Sequence, residues 1–547
     1  MESKKLHLFI IAILVIKVLS AQTASYQKIF DVDMYSVNGL ATYNQQGIAS
    51  PSSDQIVCFS AQVANPGKFD IVMLKLDTFG NMIRNKILTK NPNFHDWTRE
   101  FVKLDGSYYM TGSSRAFDTS AFSYESAYLL QFDENLDVIS QTNFFLPERE
   151  LFAQSITSTS DKNLLITGSS VYNSNWSFFI LKTSPKGNVI WVKQYGFPKG
   201  MDASCIRELS NGDIMIAGSY PFALQFIMPV AARFNNDGDL KWAKSYNYAT
   251  GTFDYQNSAL KFIHEFGKDR TMLAGRTDYS GLGYMDSYAM MVNETGDLVW
   301  SKTFGEFQND WGYNYSVSGK NQLVISGSTN SFFNNSSFGF VQYIDTFGTL
   351  KASYVFGDTS KQEQLTLSDF REINNEKSLV CGLKTISNKF ALYVSAFKES
   401  GKGKCPLYPV SFQTYDVSSY PIFDYSISVD TSQKLNTNHD AFHFYEGIDD
   451  YILCSEKPSS TEDVSGINQQ LKLLPNPALD NIILSFDQDL GEGYLFQLYD
   501  LTGRILMNRT MVDQNNIDIS SLAPGTFYIK VVIKNIEYNS LLIKIDR

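Results

Sequence analysis

Apolar and polar residues alternate in short runs along most of the chain, and each run ends at turn-forming residues. In "IRELSNGDIMIAGS", two runs meet at Asn211-Gly212, a dipeptide that favours a two-residue β-hairpin. A third run, "MPVAARF", leads through the turn Asn236-Asp237-Gly238 into a fourth run, "DLKWAKSYN". None of these segments has the 3.6-residue apolar period of a helix, so the pattern predicts β-strands grouped in fours.

The group of four strands repeats along the chain, as two markers show. The turn marker recurs at intervals of 56, 51, 51, 58, 52 and 53 residues, at Gly80, Leu136, Gly187, Gly238, Gly296, Gly348 and Gly401. Strands ending in glycine and a small residue recur in the same phase, at Gly112, Gly168, Gly218, Gly275, Gly327 and Gly382. Such repetition is typical of a β-propeller, and we predict an all-β chain with seven blades of ~53 residues over 22–403.

The two ends of the repeat array predict how the ring closes. The segment "SYQKIFDV" is similar to the fourth-strand text "WVKQYGF", so residues 26–32 are predicted to complete the last blade and to remove an exposed sheet edge. Residues 404–456 follow the last repeat. They are either an extension or a degenerate eighth blade.

Tryptophans occur in two different settings. Trp191, Trp242 and Trp300 each follow a turn glycine by four residues in consecutive repeats, which predicts packing between blades rather than ligand contact. In contrast, three tryptophans lie in the segments "HDW", "SNWSFF" and "NDWGYNY", which are interpreted as exposed loops. These are the candidate ligand contacts, Trp97, Trp176 and Trp311.

Charge and the N-terminus limit the partners and the location. A formal net charge of -11 and a pI near 5.1 argue against a nucleic-acid partner, which needs clustered Lys and Arg. Residues 1–21 have the lysines, the apolar run and the small residues of a secretory signal peptide. No later run is apolar enough to span a membrane, so we expect no transmembrane segment in the mature chain, and we expect a monomer.

The five cysteines lie in two kinds of context. Cys58 and Cys381 occur within apolar strand-like runs and are interpreted as buried free thiols. Cys405 and Cys454 bracket the unusual segment after the last repeat. Because an exported protein can form disulfides, these two are the candidate pair.

Candidate metal and catalytic residues are few. His439 and His443 have a spacing that chelates metals on a helix, but their surroundings indicate strand and loop. An aspartate recurs before the first strand pair in four repeats, where it is expected to cap turns or, alternatively, to ring one mouth of the propeller: Asp96, Asp202, Asp254 and Asp310. We found no Ser/His/Asp set or phosphate loop and predict no catalytic residue, metal or cofactor.

The last part of the chain has a different pattern. Residues 457–470 are polar and Ser-rich, as expected of a linker. Residues 471–547 begin at "LKLLPNP" and continue as short alternating runs separated by turns. They predict a small β-sandwich whose first strand is delimited by prolines.

These 77 residues resemble the type A C-terminal sorting domain of the type IX secretion system. The shared motifs are "PNP", "YDLTGR", "SSLAPGTFYIKV" and the basic end "LIKIDR", which contain Pro475, Asn476, Pro477, Tyr499, Asp500, Gly503, Gly525, Tyr528 and Lys544. Tyr528 stands one residue later than in the family pattern, and Phe527 occupies the usual place. The resemblance implies Sec-dependent entry into the periplasm, recognition by the type IX machinery and removal of the domain within 455–470.

The repeats themselves, at about 26–403, resemble secreted repeat propellers of Bacteroidota through segments such as "SNGDIMIAGS". We therefore expect a secreted or outer-membrane surface protein. We favour a non-catalytic module that binds a glycan or a protein. A propeller hydrolase or lyase acting on extracellular polysaccharide and a purely structural surface component are the alternatives. Neither the ligand nor the choice between release and surface attachment follows from the sequence.

Overall fold

The computed structural model describes the chain from residue 26 to residue 545 with gaps. The described ranges are 26–34, 47–49, 55–61, 69–77, 80–89, 94–116, 125–146, 148–196, 200–223, 226–246, 256–267, 269–278, 285–332, 336–357, 364–374, 377–386, 389–398, 407–411, 413–416, 422–424, 428–430, 436–438, 443–445, 449–455, 472–474, 478–485, 494–499, 505–511, 516–533 and 536–545. These ranges contain strands and turns and no helix. The chain forms two compact units, which divide between Pro458 and Ser459.

The first unit consists of antiparallel four-stranded sheets that follow one another along the chain. The first strand, β1 (Tyr26–Met34), belongs to the last of these sheets. The strands of the first three sheets, blades 1 to 3, are β2 (Gly47–Ala49), β3 (Gln55–Ala61), β4 (Asp70–Leu76), β5 (Met82–Thr89), β6 (Phe94–Leu104), β7 (Ser107–Ala116), β8 (Ser126–Phe132), β9 (Val138–Phe145), β10 (Glu150–Ser158), β11 (Leu164–Tyr172), β12 (Asn175–Thr183) and β13 (Val189–Gly196).

Four further sheets, blades 4 to 7, have the same order. Their strands are β14 (Asp202–Glu208), β15 (Ile214–Ala223), β16 (Phe226–Phe234), β17 (Leu240–Tyr246), β18 (Gln256–Glu265), β19 (Arg270–Thr277), β20 (Asp286–Asn293), β21 (Leu298–Gly305), β22 (Asp310–Val317), β23 (Leu323–Thr329), β24 (Phe338–Ile344), β25 (Leu350–Phe356), β26 (Gln364–Asn374), β27 (Lys377–Ile386) and β28 (Lys389–Lys398). A short parallel bridge between β16 and β18 also joins blades 4 and 5.

The ends of the array meet in blade 7. β1 pairs with β28 in antiparallel register, with Tyr26 opposite Ala396, so the predicted completion of the last blade by residues 26–32 is confirmed. Apolar clusters fill the interfaces between neighbouring blades. One of them combines Phe30 and Leu392 of blade 7 with Val72 of blade 1, and this contact closes the ring.

Seven short strands surround the ring as a belt. They are β29 (Leu407–Pro409), β30 (Gln413–Asp416), β31 (Ile422–Asp424), β32 (Ser428–Asp430), β33 (Asn436–Asn438), β34 (His443–Tyr445) and β35 (Asp449–Ser455). Each pairs with the fourth strand of a different blade, in the order 6, 5, 4, 3, 2, 1 and 7. Residues 404–456 therefore do not form a degenerate eighth blade in the described part of the chain. The described belt strands follow the ring and cover sheet edges that would otherwise be open.

The repeated turn and its tryptophan hold neighbouring blades together. Gly238, Gly296 and Gly348 have φ near +80°, and a β-carbon on any of them would lie 2.9–3.2 Å from a tryptophan or lysine side chain of the preceding blade. The indole nitrogens of Trp242 and Trp300 each donate a 3.0 Å hydrogen bond to a carbonyl in the next blade's turn. The predicted packing between blades is confirmed, and the repeated motif is architectural.

The second unit contains two small sheets with a common core. Its strands are β36 (Lys472–Leu474), β37 (Asn481–Ser485), β38 (Tyr494–Tyr499), β39 (Ile505–Met511), β40 (Asn516–Asp518), β41 (Gly525–Ile533) and β42 (Ile536–Lys544). β36, β37 and β40 form one sheet, and the other four strands form the second. Ile482 and Ile517 of the first sheet pack with Phe496 and Ile529 of the second, as expected of a β-sandwich.

Three cysteines of the ring, Cys58, Cys205 and Cys381, are buried free thiols, which confirms the interpretation of Cys58 and Cys381. Burial raises the pKa of the Cys205 thiol to about 11, so it stays protonated. Of the candidate disulfide pair, Cys405 lies outside the described residues, and only the backbone of Cys454, in β35, is described. Their pairing therefore stays a prediction.

Candidate functional site

The first strand of blades 2 to 7 has a β-bulge at the same position. In blade 2, for example, Thr98 pairs with Gly112 and Glu100 pairs with Thr111, which leaves Arg99 unpaired. The unpaired residues of the six blades, named here the bulge residues, are Arg99, Gln154, Ser204, Lys261, Tyr313 and Ser368. A bulge redirects side chains locally, so a repeated bulge gives each blade one re-aimed position.

The second sequence marker is explained by this bulge. The marker glycine lies opposite the residue that precedes the bulge, and a β-carbon there would lie 1.8–1.9 Å from a carbonyl oxygen of the first strand. Gly218 and Gly275 illustrate the contact, which involves the carbonyls of Asp202 and Ala259. The glycine is therefore required by close backbone approach, whereas the adjacent, unpaired bulge residue is free to differ between blades.

A cavity of about 660 Å³ lies between the first strands of blades 2, 4, 5, 6 and 7. Four bulge residues line it: Arg99, Ser204, Lys261 and Tyr313. Phe101 adds an aromatic surface, so the lining combines cations, hydroxyls and rings. A volume of this size suits a ligand of one or a few sugar rings.

One ion-pair network crosses the cavity wall. The Arg207 guanidinium donates to Glu100, with Nη2 and Oε1 2.7 Å apart, although the two residues belong to blades 4 and 2. Ser155 of blade 3 bridges them, because its Oγ lies 2.5 Å from Glu100 and 3.3 Å from Arg207 Nη1. Arg207 and Glu100 thus neutralise each other and brace three blades.

The other carboxylates of the cavity also accept hydrogen bonds from the protein. Glu208 accepts from the backbone amide of Ser160 at 2.6 Å, and Glu265 accepts from that of Ser210 at 2.7 Å. In both cases the amide belongs to the hairpin turn of the preceding blade, so each glutamate ties two blades together. Asp369 accepts from the following backbone amide at 2.7 Å.

Arg99 and Lys261 differ from these groups because they form no ion pair with the described residues. Arg99 Nε is buried and has no hydrogen-bond partner there. Burial, followed by the nearby charges of Arg276 and Arg99, lowers the pKa of Lys261 to about 8 against an opposing effect of Asp202. Lys261 is therefore held close to like charges, whereas Arg99 lies near the negative charges of Glu125 and Asp202 without an ion pair to either.

The three tryptophans proposed as ligand contacts lie in strands rather than in loops, which corrects the sequence interpretation. Trp97 is half-buried in β6 and stacks on His95 with ring centroids 5.2 Å apart. Trp176, in β12, is 47 % exposed, and Trp311 is half-buried in β22. None of the three lines the described cavity, because Trp97 and Trp311 precede the bulge and the cavity begins at it. Their contact with a ligand stays a prediction.

The recurring aspartates serve the fold where they are described. Asp310 is fully buried and accepts hydrogen bonds from the hydroxyls of Thr329 and Ser331 and from the amide of Glu306. Asp202 accepts from Ser169 of the preceding blade at 2.5 Å. Asp96 is buried as well, and Asp254 lies outside the described residues.

Beside Asp310 lies a second buried carboxyl, Asp286. Burial and the negative charges of Asp310 and Glu306 raise the pKa of Asp286 to about 8. Burial also raises the pKa of Asp310, to about 6. Carboxyls with raised, separated pKa values are used for acid–base chemistry, but Asp286 and Asp310 are both 0 % exposed and lie outside the cavity lining.

Part of the sorting motif is described. Phe527 is buried in the core of the second unit, so it does pack where the family pattern has tyrosine. Lys544 Nζ donates to the carbonyl of Leu479 and lies 3.7 Å from Asp480, while the Tyr499 hydroxyl donates to Gln497. Gly525 begins β41, which also contains Tyr528. Pro475, Asn476, Pro477, Asp500 and Gly503 lie outside the described residues, as do His439 and residues 1–21.

Comparison with solved structures gives distant likenesses. An extracellular domain of a hybrid two component system from B. thetaiotaomicron has 10 % identity and a TM-score of 0.19, covering 94 % of this chain and 87 % of that one. Xylan β-1,4-xylosidase from Bacillus halodurans has 11 % identity and a TM-score of 0.30, covering 74 % of this chain and 98 % of that one. Trypanosoma rangeli sialidase in complex with sialic acid has 8 % identity and a TM-score of 0.31, covering 91 % of this chain and 82 % of that one. These values carry no conclusion about activity.

Comparison with curated proteins gives no match. Among the described residues, no helix has the length and apolarity needed to cross a membrane. Residues 472–545, however, match the family described as the secretion system C-terminal sorting domain. This range coincides with the strands of the second unit and with the motifs described above. The chain thus carries a type IX C-terminal sorting domain on an all-β, propeller-like unit and is a cargo secreted to the cell surface or beyond.

Proposed function

We propose that the propeller of this secreted cargo is a non-catalytic binding module for a glycan and that the ligand occupies the cavity between the first strands. The observation that carries this proposal is the bulge. Residues that repeat from blade to blade, such as Gly275 and Trp242, hold the ring together. Residues that differ between blades, such as Arg99, Ser204 and Tyr313, line the cavity.

The carboxylates of the cavity already form ion pairs or hydrogen bonds within the protein, which favours ligand binding over hydrolysis. A glycosidase needs two carboxyl groups facing its substrate, roughly 5–10 Å apart, one of which changes protonation state. In the described cavity, Glu100 is paired with Arg207, and Glu208 and Glu265 accept amides that hold adjacent blades. Recruiting one of them for proton transfer would disrupt a contact between blades. The hydrolase or lyase is therefore the second candidate.

The route of export completes the proposal. Residues 1–21 act as the Sec signal peptide, and the type IX machinery then recognises the C-terminal domain. The domain is removed within 455–470, beyond the end of β35 at Ser455. A cleavage there leaves the whole belt attached to the ring.

The experiment is a glycan-array screen of the full-length chain, followed by two variants tested against the glycan that binds best. Ser204→Trp places an indole in the cavity and should abolish binding. Trp176→Ala removes the most exposed candidate tryptophan outside the cavity and should leave the affinity within about twofold. The reverse result would place the ligand on the exposed aromatic surface. No binding to any glycan or extracted surface polymer would overturn the proposal, and polysaccharide cleavage would favour the enzyme.

A further inference from the structure

We propose that the cavity selects an acidic sugar, whose oxyanion group binds between Arg99 and Lys261. The inference rests on the proposed function, because it assigns the chemical class of ligand to the same cavity. The recognised chemistry is a carboxylate of a uronic or other sugar acid, or a sulfate ester. Both present a compact negative oxygen group on a sugar ring.

Two cations of the cavity have no partner of opposite charge among the described residues. Arg207 is satisfied by Glu100, and the remaining described carboxylates accept protein hydrogen bonds. Arg99 and Lys261 stay without an ion pair among the described residues, although both line the cavity. A half-buried cation without a partner is only partly solvated, and a bound anion would compensate its charge.

The two cations also share one structural position. Arg99 and Lys261 are equivalent bulge residues in blades 2 and 5, so the same backbone irregularity places both side chains at the cavity. Arg276 stands on the neighbouring strand, opposite Ala259, and its Nε is also buried without a hydrogen-bond partner among the described residues. Like charges are gathered here, as expected of a site that receives an anion. Asp202 and Glu125 lie near enough to affect these cations without forming an ion pair with either.

The cavity suits an acidic sugar better than an acidic peptide. Extended peptides commonly bind by adding a strand to an open sheet edge. In the described part of the ring, the fourth strand of each blade is already paired with a belt strand, for example β25 with β29. The cavity instead offers aromatic side chains beside the cations, Phe101 and Tyr313, which suit the faces of a sugar ring.

Titration calorimetry of the full-length chain tests the inference with matched oligosaccharides. Oligogalacturonates are compared with the same oligomers after reduction of their carboxylates to alcohols. Sulfated galactan oligomers are compared with desulfated ones. Poly-glutamate is included as an acidic peptide. We expect the acidic member of at least one pair to bind and its neutral partner to bind at least about tenfold more weakly. The two pairs distinguish a carboxylate from a sulfate ester.

Three charge variants locate the binding site. Arg99→Gln and Lys261→Gln should each weaken binding by about 10- to 100-fold, since each removes one charged hydrogen bond to the ligand. Arg99→Lys keeps the charge and should retain part of the affinity. Lys186→Gln removes a lysine from the turn of blade 3, outside the cavity lining, and serves as the matched control, with no expected change. Thermal unfolding of every variant excludes loss of the fold as the cause.

A pH profile gives an independent readout. Because Lys261 loses its proton near pH 8, the affinity of the unmodified chain should fall between pH 7 and pH 9. Arg276, Arg99 and Asp202 are the charged groups that affect it. Glu125, which lies near Arg99, also titrates in this range, because burial raises its pKa to about 8. The Lys261→Gln variant should therefore show a smaller decrease in affinity than the unmodified chain.

Each outcome is decisive. The acidic-sugar assignment is overturned if acidic and neutral sugars bind equally, or if both glutamine variants keep normal affinity. The cavity proposal stays intact in either case if Ser204→Trp still abolishes binding. Binding of poly-glutamate alone replaces the sugar with an acidic protein segment. If none of these compounds binds while a neutral glycan of the array does, the acidic-sugar assignment fails and the proposed function stands. If no glycan of the array binds either, the proposed function itself fails.

Discussion

Replacing Gly275 with alanine should destabilise the propeller through one defined contact. A β-carbon at this position would lie 1.8 Å from the carbonyl oxygen of Ala259, whereas ordinary contacts begin at 3.4 Å, so roughly 1.6 Å of displacement is needed. The three nearest atoms all belong to the backbone of the first strand, and no flexible side chain can move away. Since the bulge holds Lys261, relief of the clash must distort the cavity as well.

The expected loss of folding stability exceeds that of an ordinary overpacked site. Overpacking by a methyl group costs about 1–3 kcal/mol, and a backbone clash of this depth should cost about 3 kcal/mol or more. For a large unit about 2 °C corresponds to each kcal/mol, so thermal unfolding followed by circular dichroism should show a decrease in Tm of about 6 °C.

Two control variants separate steric clash from backbone conformation. Gly212 lies in a hairpin turn with φ +82°, and a β-carbon at this position would have no other atom within 4 Å. Gly212→Ala should therefore cost only about 1 kcal/mol, and Gly212→Asn less, because asparagine tolerates positive φ. A Gly275→Ala protein that unfolds within about 1 °C of the unmodified chain would refute the bulge geometry.

Other parts of the chain give three more predictions. Because the raised pKa of Asp286 favours its protonated form in the folded state, the associated stability is present below about pH 4 and lost as pH rises through about 8. Asp286→Asn should therefore stabilise the protein at pH 9 relative to pH 5, by up to about 4 kcal/mol, and an equal shift of Tm at both pH values would contradict this. Deletion of 471–547 should leave the protein in the periplasm, as immunoblotting of cell fractions would show, and normal export of the truncated chain would contradict the sorting role. If Cys405 and Cys454 join the two ends of the belt on blades 6 and 7, thiol titration of the denatured, unreduced chain should give three thiols from its five cysteines, whereas five would exclude the bond.

The repeating features of the fold could be predicted from the sequence because each depends on local chemistry. Turn glycines such as Gly238 need positive φ, and Trp242 recurs at a fixed distance from its turn, so both stand out in phase. Closure of the ring by β1 is visible in the sequence because its text matches other fourth strands. Export is visible in motifs that match a family pattern.

The belt and the cavity could not be predicted in the same way. Belt strands such as β31 and β33 are three residues long and take their partners from distant blades, so they leave no periodic signal. The bulge inserts a single residue between Thr98 and Glu100 and shifts the alternation of inward and outward side chains there. No glycine or proline in the bulged strand marks this position. Its only sequence signal is the glycine on the neighbouring strand, Gly112, whose cause is a contact between backbones. The sequence pattern therefore favours aromatic residues as ligand contacts and does not single out Arg99.

The most direct measurement is lysine acylation of the full-length chain at pH 8, with and without a bound acidic oligosaccharide, read by mass spectrometry. Lys261 is about half deprotonated at that pH and lines the cavity, so it should react readily in the free protein. Saturating ligand should protect Lys261 at least about tenfold while leaving Lys186, outside the cavity lining, unchanged. Undiminished labelling of Lys261 in a chain that calorimetry shows to be saturated would place the ligand outside the cavity.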